Sequence, residues 1–368
     1  MNAVIILPTY NESGNIENVV RALDTVFKDI PKHWNMKILV VDDESPDQTA
    51  NIVRSLMKRY PYLSLIEGKK RGLGAAYIRG MQYAIDKMHA DVVFQMDADL
   101  QHDPTLVPHF LVEIDKGSDF VIGSRYITGG SIPQNWGLKR KLYSTIGNLV
   151  VRWGLIIPSI HDWTSGYRAI RGSVIKNINE GLSKYPGYTF QVALLHRAYM
   201  AKAKISEIPL QFTDRSYGKS KIVPPEYIFN VLKFVFTHST FFKYLQVGGV
   251  GFGVQTLISA ILVHYINILP GIAVGIGAEA AIISNFVFSN LWTFSHKKLS
   301  GRDDLVRKFS KFQMASLGAV VLQSASVWVI THILGASVWF PAMVFSIVFL
   351  VIPFNFFVYN RFIWKTHE

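Results

Sequence analysis

The sequence predicts an α/β domain with a mostly parallel sheet, followed by an all-α domain that spans a membrane. Three observations carry this. Short apolar runs alternate with segments of helical periodicity over residues 3–96, the pattern of a parallel sheet with helices on both faces. Each run stops at polar or special residues, and three of the stops carry acids. Charged residues concentrate before residue 240, whereas long apolar runs fill the chain after it.

Ala3 to Leu7 is an apolar run closed by Pro8, and it predicts the first strand. From Asn15 to Phe27 the apolar positions Ile16, Val19, Val20, Leu23, Val26 and Phe27 recur at helical spacing. Ile38 to Val41 predicts a second strand that ends in Asp42-Asp43. Gln48 to Met57 reads as a helix and Leu63 to Ile66 as a third strand. Leu73 to Met88 is a helix entered through Arg71-Gly72-Leu73-Gly74, and Val92 to Met96 is a fourth strand. That strand runs into Asp97-Ala98-Asp99-Leu100-Gln101. Carboxylates just past the C-terminal end of a parallel strand stand where open α/β sheets bind ligands. Alternate residues of an extended segment point the same way, so Asp97 and Asp99 can share a face. Hard oxygen ligands suit Mg²⁺ or Mn²⁺ bound together with phosphates. The bland alternative is a solvated turn capping a helix that starts near Pro104. Three acidic strand ends on one edge repel each other, and a cation relieves that.

Composition narrows the partners. A net charge of +12 over 368 residues points to phosphates or a membrane surface; nucleic acid is not expected. The absence of cysteine excludes disulfides, thiolate metal sites and a cysteine nucleophile, and leaves the compartment open. Met1-Asn2-Ala3 leads straight into Val4-Ile5-Ile6-Leu7, which lacks the basic start and long apolar core of a signal peptide.

Leu138 to Ile157 places Leu138, Leu142, Ile146, Leu149, Trp153 and Ile156 on one stripe, with Lys139, Arg140, Lys141 and Arg152 nearer the polar side. That composition suits a helix lying in the membrane interface; a core helix is the alternative. A second interfacial helix begins at Pro224-Pro225 and runs to His238. Beyond it, four apolar segments near 242–265, 270–294, 311–334 and 338–360 reach the length of about 20 residues that a bilayer requires. Lys297, Lys298, Arg302, Arg307, Lys308 and Lys311 lie in the middle connection, and Arg361 and Lys365 in the tail. The positive-inside rule puts both, with the charged half, in the cytoplasm. Gly248, Gly249, Gly251, Gly253, Gly271, Gly275 and Gly277 suit close helix packing. Glu279 is an acid inside a span, either a contact for a polar lipid group or partner helix, or a neutral packing residue.

Pro8-Thr9-Tyr10-Asn11-Glu12, Val41-Asp42-Asp43, Arg71-Gly72-Leu73-Gly74 and Asp97-Ala98-Asp99 occur in the order and spacing of family 2 inverting glycosyltransferases, which the chain resembles over residues 3–220. Gly123-Ser124-Arg125, Asp162 to Arg168, and Arg215 to Lys221 resemble the polyprenyl-phosphate branch, the dolichyl-phosphate mannose synthases most of all. The apolar half is similar to the four-helix GtrA-like domain around Tyr244 to Gly248 and Asn285 to Phe294. The resemblance implies a GT-A-type (Rossmann-like) catalytic domain at 1–221, an interfacial linker at 222–240 and a four-helix transmembrane domain at 241–362. It implies that Pro8, Tyr10, Glu12, Asp42 and Asp43 hold the nucleoside, and that Gly72 lets backbone approach the nucleotide at a helix start. Asp97, Ala98, Asp99 and Gln101 would line the leaving diphosphate, with Asp97, Asp99 and Gln101 on Mg²⁺ or Mn²⁺.

The implied activity is inverting transfer of one hexose from a nucleotide sugar to a polyprenyl monophosphate. GDP-mannose and dolichyl phosphate come first, and UDP-glucose with a similar lipid is the alternative. A lipid-linked sugar translocator with a regulatory nucleotide-binding domain is a third possibility, opposed by the complete set of acidic strand ends. A lipid monophosphate has a second pKa of about 6, so it needs positioning cations more than a base. Arg125, Arg168, Arg215, Lys219 and Lys221 fall in the segments that resemble the lipid-phosphate branch and could supply them. Asp162 is either a base or the carboxylate that orients an arginine. Ile127 to Gly137 is either a gate over the acceptor or a connector, and Gln191 either touches the sugar or is a core-edge amide. The Gln-x-x-Arg-Trp signature of polymer synthases is absent, which argues against processivity. The chain is expected to be a multi-pass protein of the cell membrane, or of the endoplasmic-reticulum membrane in a eukaryote, without an obligate protein partner.

Overall fold

A computed structural model describes residues 1–368 except 186, 188, 213–223, 269, 300, 336–337 and 365–368. Arg215, Lys219 and Lys221, three of the expected phosphate contacts, thus lie outside the described residues. The chain forms two compact units, Met1–Val235 and Phe236–Glu368.

In the first unit β1 (Asn2–Thr9), β2 (Asn35–Asp42), β3 (Leu63–Glu67), β4 (Val92–Gln95), β5 (Phe120–Ser124), β6 (Arg168–Arg171) and β7 (Ile205–Pro209) make one seven-stranded sheet, ordered β3-β2-β1-β4-β6-β5-β7. Ala3 to Leu7 and Ile38 to Val41 are completely buried, which is why their sequences are continuously apolar: strands covered on both faces have no polar side. All ladders are parallel except those of β6, which runs antiparallel between β4 and β5. The register pairs Thr9 with Asp42 and Asp42 with Glu67, so the carboxyl ends of the first three strands line up on one edge. Strand order reverses between β1 and β4, the place where such sheets open a ligand crevice.

Helix α1 (Ile16–Phe27) buries Ile16, Val19, Val20 and Leu23 completely, as its periodicity predicts. After α2 (Thr49–Met57) comes α3 (Leu73–Asp86), which crosses β1 and β2 so closely that a Cβ on Gly80 would stand 2.8 Å from Ile6 Cγ2 and 2.9 Å from Val41 Cγ2. Helix α4 (Val107–Asp115) covers β5 and β6. Helix α5 (Leu138–Gly154) keeps its apolar stripe outside: Leu138 is 81% and Trp153 61% exposed, with Leu142, Ile146 and Leu149 also exposed. The stripe is therefore not a core face. Helices α6 (Gly172–Ile178) and α7 (Thr189–Met200) follow. The last helix here, α8 (Pro224–His238), buries Val231, Phe234 and Val235 and exposes Phe229, Leu232 and Phe236. A Cβ on Gly154 would meet Val235 Cγ1 at 2.4 Å, so α5 ends against α8.

The second unit is helical: α9 (Thr240–His264), α10 (Pro270–Phe288), α11 (Arg302–Leu334), α12 (Trp339–Ser346) and α13 (Ile352–Val358). Among the described residues, two helices are long and apolar enough to cross a bilayer, Thr240–His264 and Arg302–Leu334, of 25 and 33 residues. Helix α11 begins at Arg302, well before the expected 311, and the last expected span is divided by wide turns at Ile347–Val351 and Tyr359–Ile363. Small residues permit close contact: a Cβ on Gly251 would lie 2.2 Å from Asn285 Oδ1, and one on Gly277 2.4 Å from Ser259 Oγ. Asn290 Oδ1 accepts from Leu299 N (2.8 Å) and Trp364 Nε1 (3.1 Å), beside a buried cluster of Phe286, Phe294, Phe312, Tyr359 and Trp364. Glu279 accepts a hydrogen bond from Gln313.

Candidate active site

The loops of β1, β2 and β4 meet at the carboxyl edge, and each holds non-glycine backbone in the left-handed region: Asn11 (φ 58°) after β1, Glu44 (φ 53°) and Gln48 (φ 70°) after β2, and Leu100 (φ 61°) after β4. Such backbone costs on the order of 1–3 kcal/mol apiece and gathers where geometry serves function. At Leu100 it folds the chain back. Asp99 Oδ1 then accepts from Gln101 N (3.1 Å), and His102 Nδ1 accepts from Asp97 N (2.9 Å). An accepting Nδ1 leaves the ring proton on Nε2, which lies 3.9 Å from Asp97 Oδ2. Tyr77 Oη donates to Asp97 Oδ1 at 3.2 Å, and His102 stacks on Tyr167 with centroids 4.9 Å apart. Ala98, Asp99, Gln101 and His102 are buried, whereas the Asp97 side chain is 24% exposed.

Asp97, Asp99 and the Gln101 amide oxygen are hard donors gathered on one turn, and they fit Mg²⁺ or Mn²⁺. Among the described residues no group of three or more His, Asp or Glu is placed to hold a metal ion. A short protein set is what these ions use when a substrate's phosphates complete the shell.

The loops after β1 and β2 are knitted together. Asp42 is completely buried and accepts from Thr9 Oγ1 (2.7 Å), Ser45 N (2.8 Å) and Ser45 Oγ (2.6 Å). Asn11 N donates to Ser45 Oγ (3.0 Å), Glu12 N to Thr49 Oγ1 (3.1 Å) and Ser13 N to Asp47 Oδ2 (2.9 Å). These bonds fix the backbone from Pro8 to Glu12 against the β2 loop. Asp43 pairs with Arg79 at 2.6 Å; burial raises its pKa in spite of Arg79. Lys70 Nζ lies 3.4 Å from the Tyr10 ring centroid. Gly72 has φ 91° and open space around its absent Cβ, so it is glycine for its backbone conformation.

Arg125 follows β5, and Asp162 follows the loop after α5. Asp162 Oδ2 accepts from Arg125 N (3.0 Å) and Nε (2.7 Å), and Oδ1 accepts from Arg125 Nη2 (2.8 Å), Thr164 N (3.2 Å) and Ser165 N (3.0 Å). Burial pushes the Asp162 carboxyl up, but Arg125 outweighs it and holds the pKa below the ordinary value. A carboxylate so held is a poor proton acceptor and a good orienter of its arginine. Phe212 joins the two clusters: its ring centroid is 5.7 Å from that of His102 and 5.6 Å from Arg125 Cζ. The loop after Arg125 is pinned. Ser131 N donates to Leu210 O and Phe212 N to Ser131 O, both at 3.0 Å, and a Cβ on Gly130 would stand 2.4 Å from Ser124 O.

Arg168 departs from expectation. It is completely buried, donates to Gln191 O (2.7 Å) and Trp163 O (3.0 Å), and burial lowers its pKa to about 9 despite Asp162. It braces backbone, with no surface to offer a phosphate. Gln191 is also fully buried, with no hydrogen-bond partner for its amide among the described residues. Sequence reasoning passed over Tyr77, Phe212 and Glu207. Only Glu207 left a signal, an acid inside the short run Ile205 to Pro209.

A mostly parallel sheet with an acidic turn at its carboxyl edge, followed by an apolar helical half, is the arrangement of a membrane-bound glycosyltransferase. The family model "Glycosyl transferase family 2" matches residues 4–178, and "GtrA/DPMS, transmembrane domain" matches residues 243–364. The dolichol-phosphate mannosyltransferase of Pyrococcus furiosus is 32% identical over 337 residues, 90% of this chain and 91% of that protein. The polyprenol monophosphomannose synthase of Mycolicibacterium smegmatis is 36% identical over 60% of this chain and 80% of its own. The undecaprenyl-phosphate mannosyltransferase of Micrococcus luteus is 35% identical over 60% of this chain and 88% of its own. The chain belongs to the family 2 glycosyltransferases of the kind that carry a GtrA/DPMS transmembrane domain.

Proposed function

We propose that the enzyme transfers one mannose from GDP-mannose to a polyprenyl (dolichyl) monophosphate, with inversion and with Mg²⁺ or Mn²⁺. The observation that carries this is the meeting of two unlike clusters at the Phe212 ring: an acidic turn for the diphosphate end of a donor, and an arginine fixed by a buried carboxylate for an anionic acceptor. The names of the three relatives agree on mannose and on a lipid phosphate.

In this scheme the loops at Pro8 to Glu12 and at Asp43 receive the nucleoside, with Asp42 holding the loop that presents them. Asp97, Asp99 and Gln101 hold the metal, which when bound neutralises charge on the leaving diphosphate. The acceptor needs no base. With a second pKa of about 6 its phosphate is ionised near neutral pH. A phosphate oxygen forms a bond to the anomeric carbon from the face opposite GDP, the bond to the diphosphate breaks, and the configuration inverts. Arg125, held side-on by Asp162, positions the attacking phosphate, and Arg215, Lys219 and Lys221 add charge. The exposed stripe of α5 lies in the bilayer interface and brings this edge to the lipid headgroups. The apolar half crosses the membrane four times, with the catalytic half and the C-terminus cytoplasmic.

The test is transfer of radiolabel into the organic phase by the purified chain, given polyprenyl phosphate, Mn²⁺, and either GDP-mannose or UDP-glucose. Label from GDP-mannose that falls at least about a hundredfold in Asp99→Ala supports the proposal. Label from UDP-glucose alone overturns the donor, and label from neither overturns the activity.

A further inference from the structure

Glu207 lies within β7, opposite Ile122 of β5 in the parallel register, and its side chain is only 10% exposed. Its carboxylate grips the backbone of two consecutive residues. His161 N donates to Oε1 at 3.1 Å and to Oε2 at 3.0 Å, and Asp162 N donates to Oε1 at 2.9 Å. The His161 ring adds Nδ1 at 2.7 Å from Oε2. Asn148 of α5 holds the flanks, bonding His161 O and accepting from Trp163 N at 2.8 Å. A buried carboxylate demands such donors, because desolvating it without them is costly. What distinguishes this one is what it grips: the amide of the residue whose own carboxylate fixes Arg125. The connection has two tiers, Glu207 to the 161–162 backbone, and Asp162 to the guanidinium.

We propose that Glu207 is a positioning residue for the transfer reaction: by clamping the amides of His161 and Asp162 it aims the Arg125 guanidinium at the acceptor's phosphate. This rests on the role given to Arg125 above. Charge alone does not require such a clamp, since Asp162 would attract Arg125 anyway. Fixing the direction of the guanidinium does require it: Nε and Nη2 are already held by Asp162 and Thr164, so the side left to face the acceptor is set by where the 161–162 backbone stands, and small misplacements at a reacting group are costly.

The test uses the full chain, with acceptor and donor varied separately. Glu207→Gln preserves size but turns one acceptor oxygen into a donor facing donors. Its kcat/KM for polyprenyl phosphate is expected to fall about tenfold or more, the effect of roughly one charge-assisted hydrogen bond, with affinity for GDP changed less than about twofold. In an Arg125→Ala background the same replacement should add less than about twofold, since its effect acts through Arg125. An equal fall in both backgrounds, or a fall confined to GDP affinity, overturns the proposal and leaves Glu207 a plain structural link. Arg125→Ala with unchanged acceptor kinetics overturns instead the role of Arg125. Should Glu207→Gln fold poorly by thermal unfolding, His161→Ala is the milder probe, because both amides remain. A fall of about threefold in acceptor kcat/KM that vanishes with Arg125→Ala supports the proposal, and no fall or an additive one overturns it.

Discussion

Replacing Asp162 by asparagine tests whether the carboxylate acts through Arg125. The two side chains are 0% and 9% exposed, so the guanidinium left behind loses its counter-charge with little water to replace it. Breaking a buried pair by removing one partner costs about 3–5 kcal/mol. Asparagine keeps one acceptor oxygen, so a loss near the lower end, about 3 kcal/mol, is expected in the first unit. For catalysis the fork is no longer held by charge-assisted bonds worth about 1.5–3 kcal/mol, or roughly 10- to 150-fold in kcat/KM for the acceptor. GDP affinity should stay within about twofold. Scanning fluorimetry reads the stability and radiolabel transfer the kinetics. The double replacement Asp162→Leu with Arg125→Met removes both charges and should recover most of the stability while remaining inactive. The wild type adds a pH signature. The Asp162 carboxyl is held below its ordinary value by Arg125, so the pair's stabilisation is fully present above the unfolded carboxyl pKa of about 3.9 and is lost as pH falls through the lower folded value. Asp162→Asn lacks that acid-dependent loss. Wild-type stability and wild-type acceptor kinetics in Asp162→Asn together would refute the whole account.

Other expectations follow from single close approaches. Gly130→Ala drives a Cβ to 2.4 Å from Ser124 O and 3.1 Å from Arg125 Cα; backbone cannot yield as a side chain can, so acceptor kcat/KM should fall about tenfold or more while GDP binding holds. Gly80→Ala meets only the methyl groups of Ile6 and Val41 within α3 packing, so it should cost about 1–3 kcal/mol of stability and leave both KM values unchanged. The pair Leu138→Glu and Trp153→Ser alters residues 81% and 61% exposed. It should raise the acceptor KM about fivefold or more in liposomes through lost interfacial burial, with no change in detergent.

β1, β2 and β4 were legible because each carries a fully buried apolar run such as Ile38 to Val41, whereas β3, with only Leu63 buried, was legible from Leu63, Leu65 and Ile66 set between turn residues. β6 and β7 were not: they are short, and they contain Arg168, Arg171 and Glu207, which read as surface residues. A buried arginine such as Arg168 defeats periodicity, since only its tertiary partners explain it. The acidic turn was visible from its spacing alone, but the left-handed Leu100 that shapes it was not. The bond between Arg125 and Asp162 joins residues 37 apart in sequence, and no local pattern encodes it. The stripe on α5 was read correctly as a face, and only exposure decided against a core helix. The start of α11 was misplaced because Arg302, Arg307 and Lys308 resemble a loop. A helix of 33 residues spans about 50 Å, more than the roughly 30 Å hydrocarbon core, so its charged turns can remain helical outside the bilayer.

The reversed direction of β6 has a consequence for how such enzymes diversify. β5 ends at Ser124 on the carboxyl edge, and β6, being antiparallel, begins at Arg168 on the same edge. The intervening chain, residues 125–167, therefore leaves the sheet and returns to it without crossing a face. It is an excursion from one sheet edge, tied down from outside by Glu207, Leu210 and Phe212. Arg125, the pinned loop, α5 and Asp162 all lie in that excursion, while their anchors lie in and just after β7. A change of length within 125–167 therefore leaves the sheet's threading intact, but a graft between relatives would keep the Arg125 geometry only if the β7 segment moved with it.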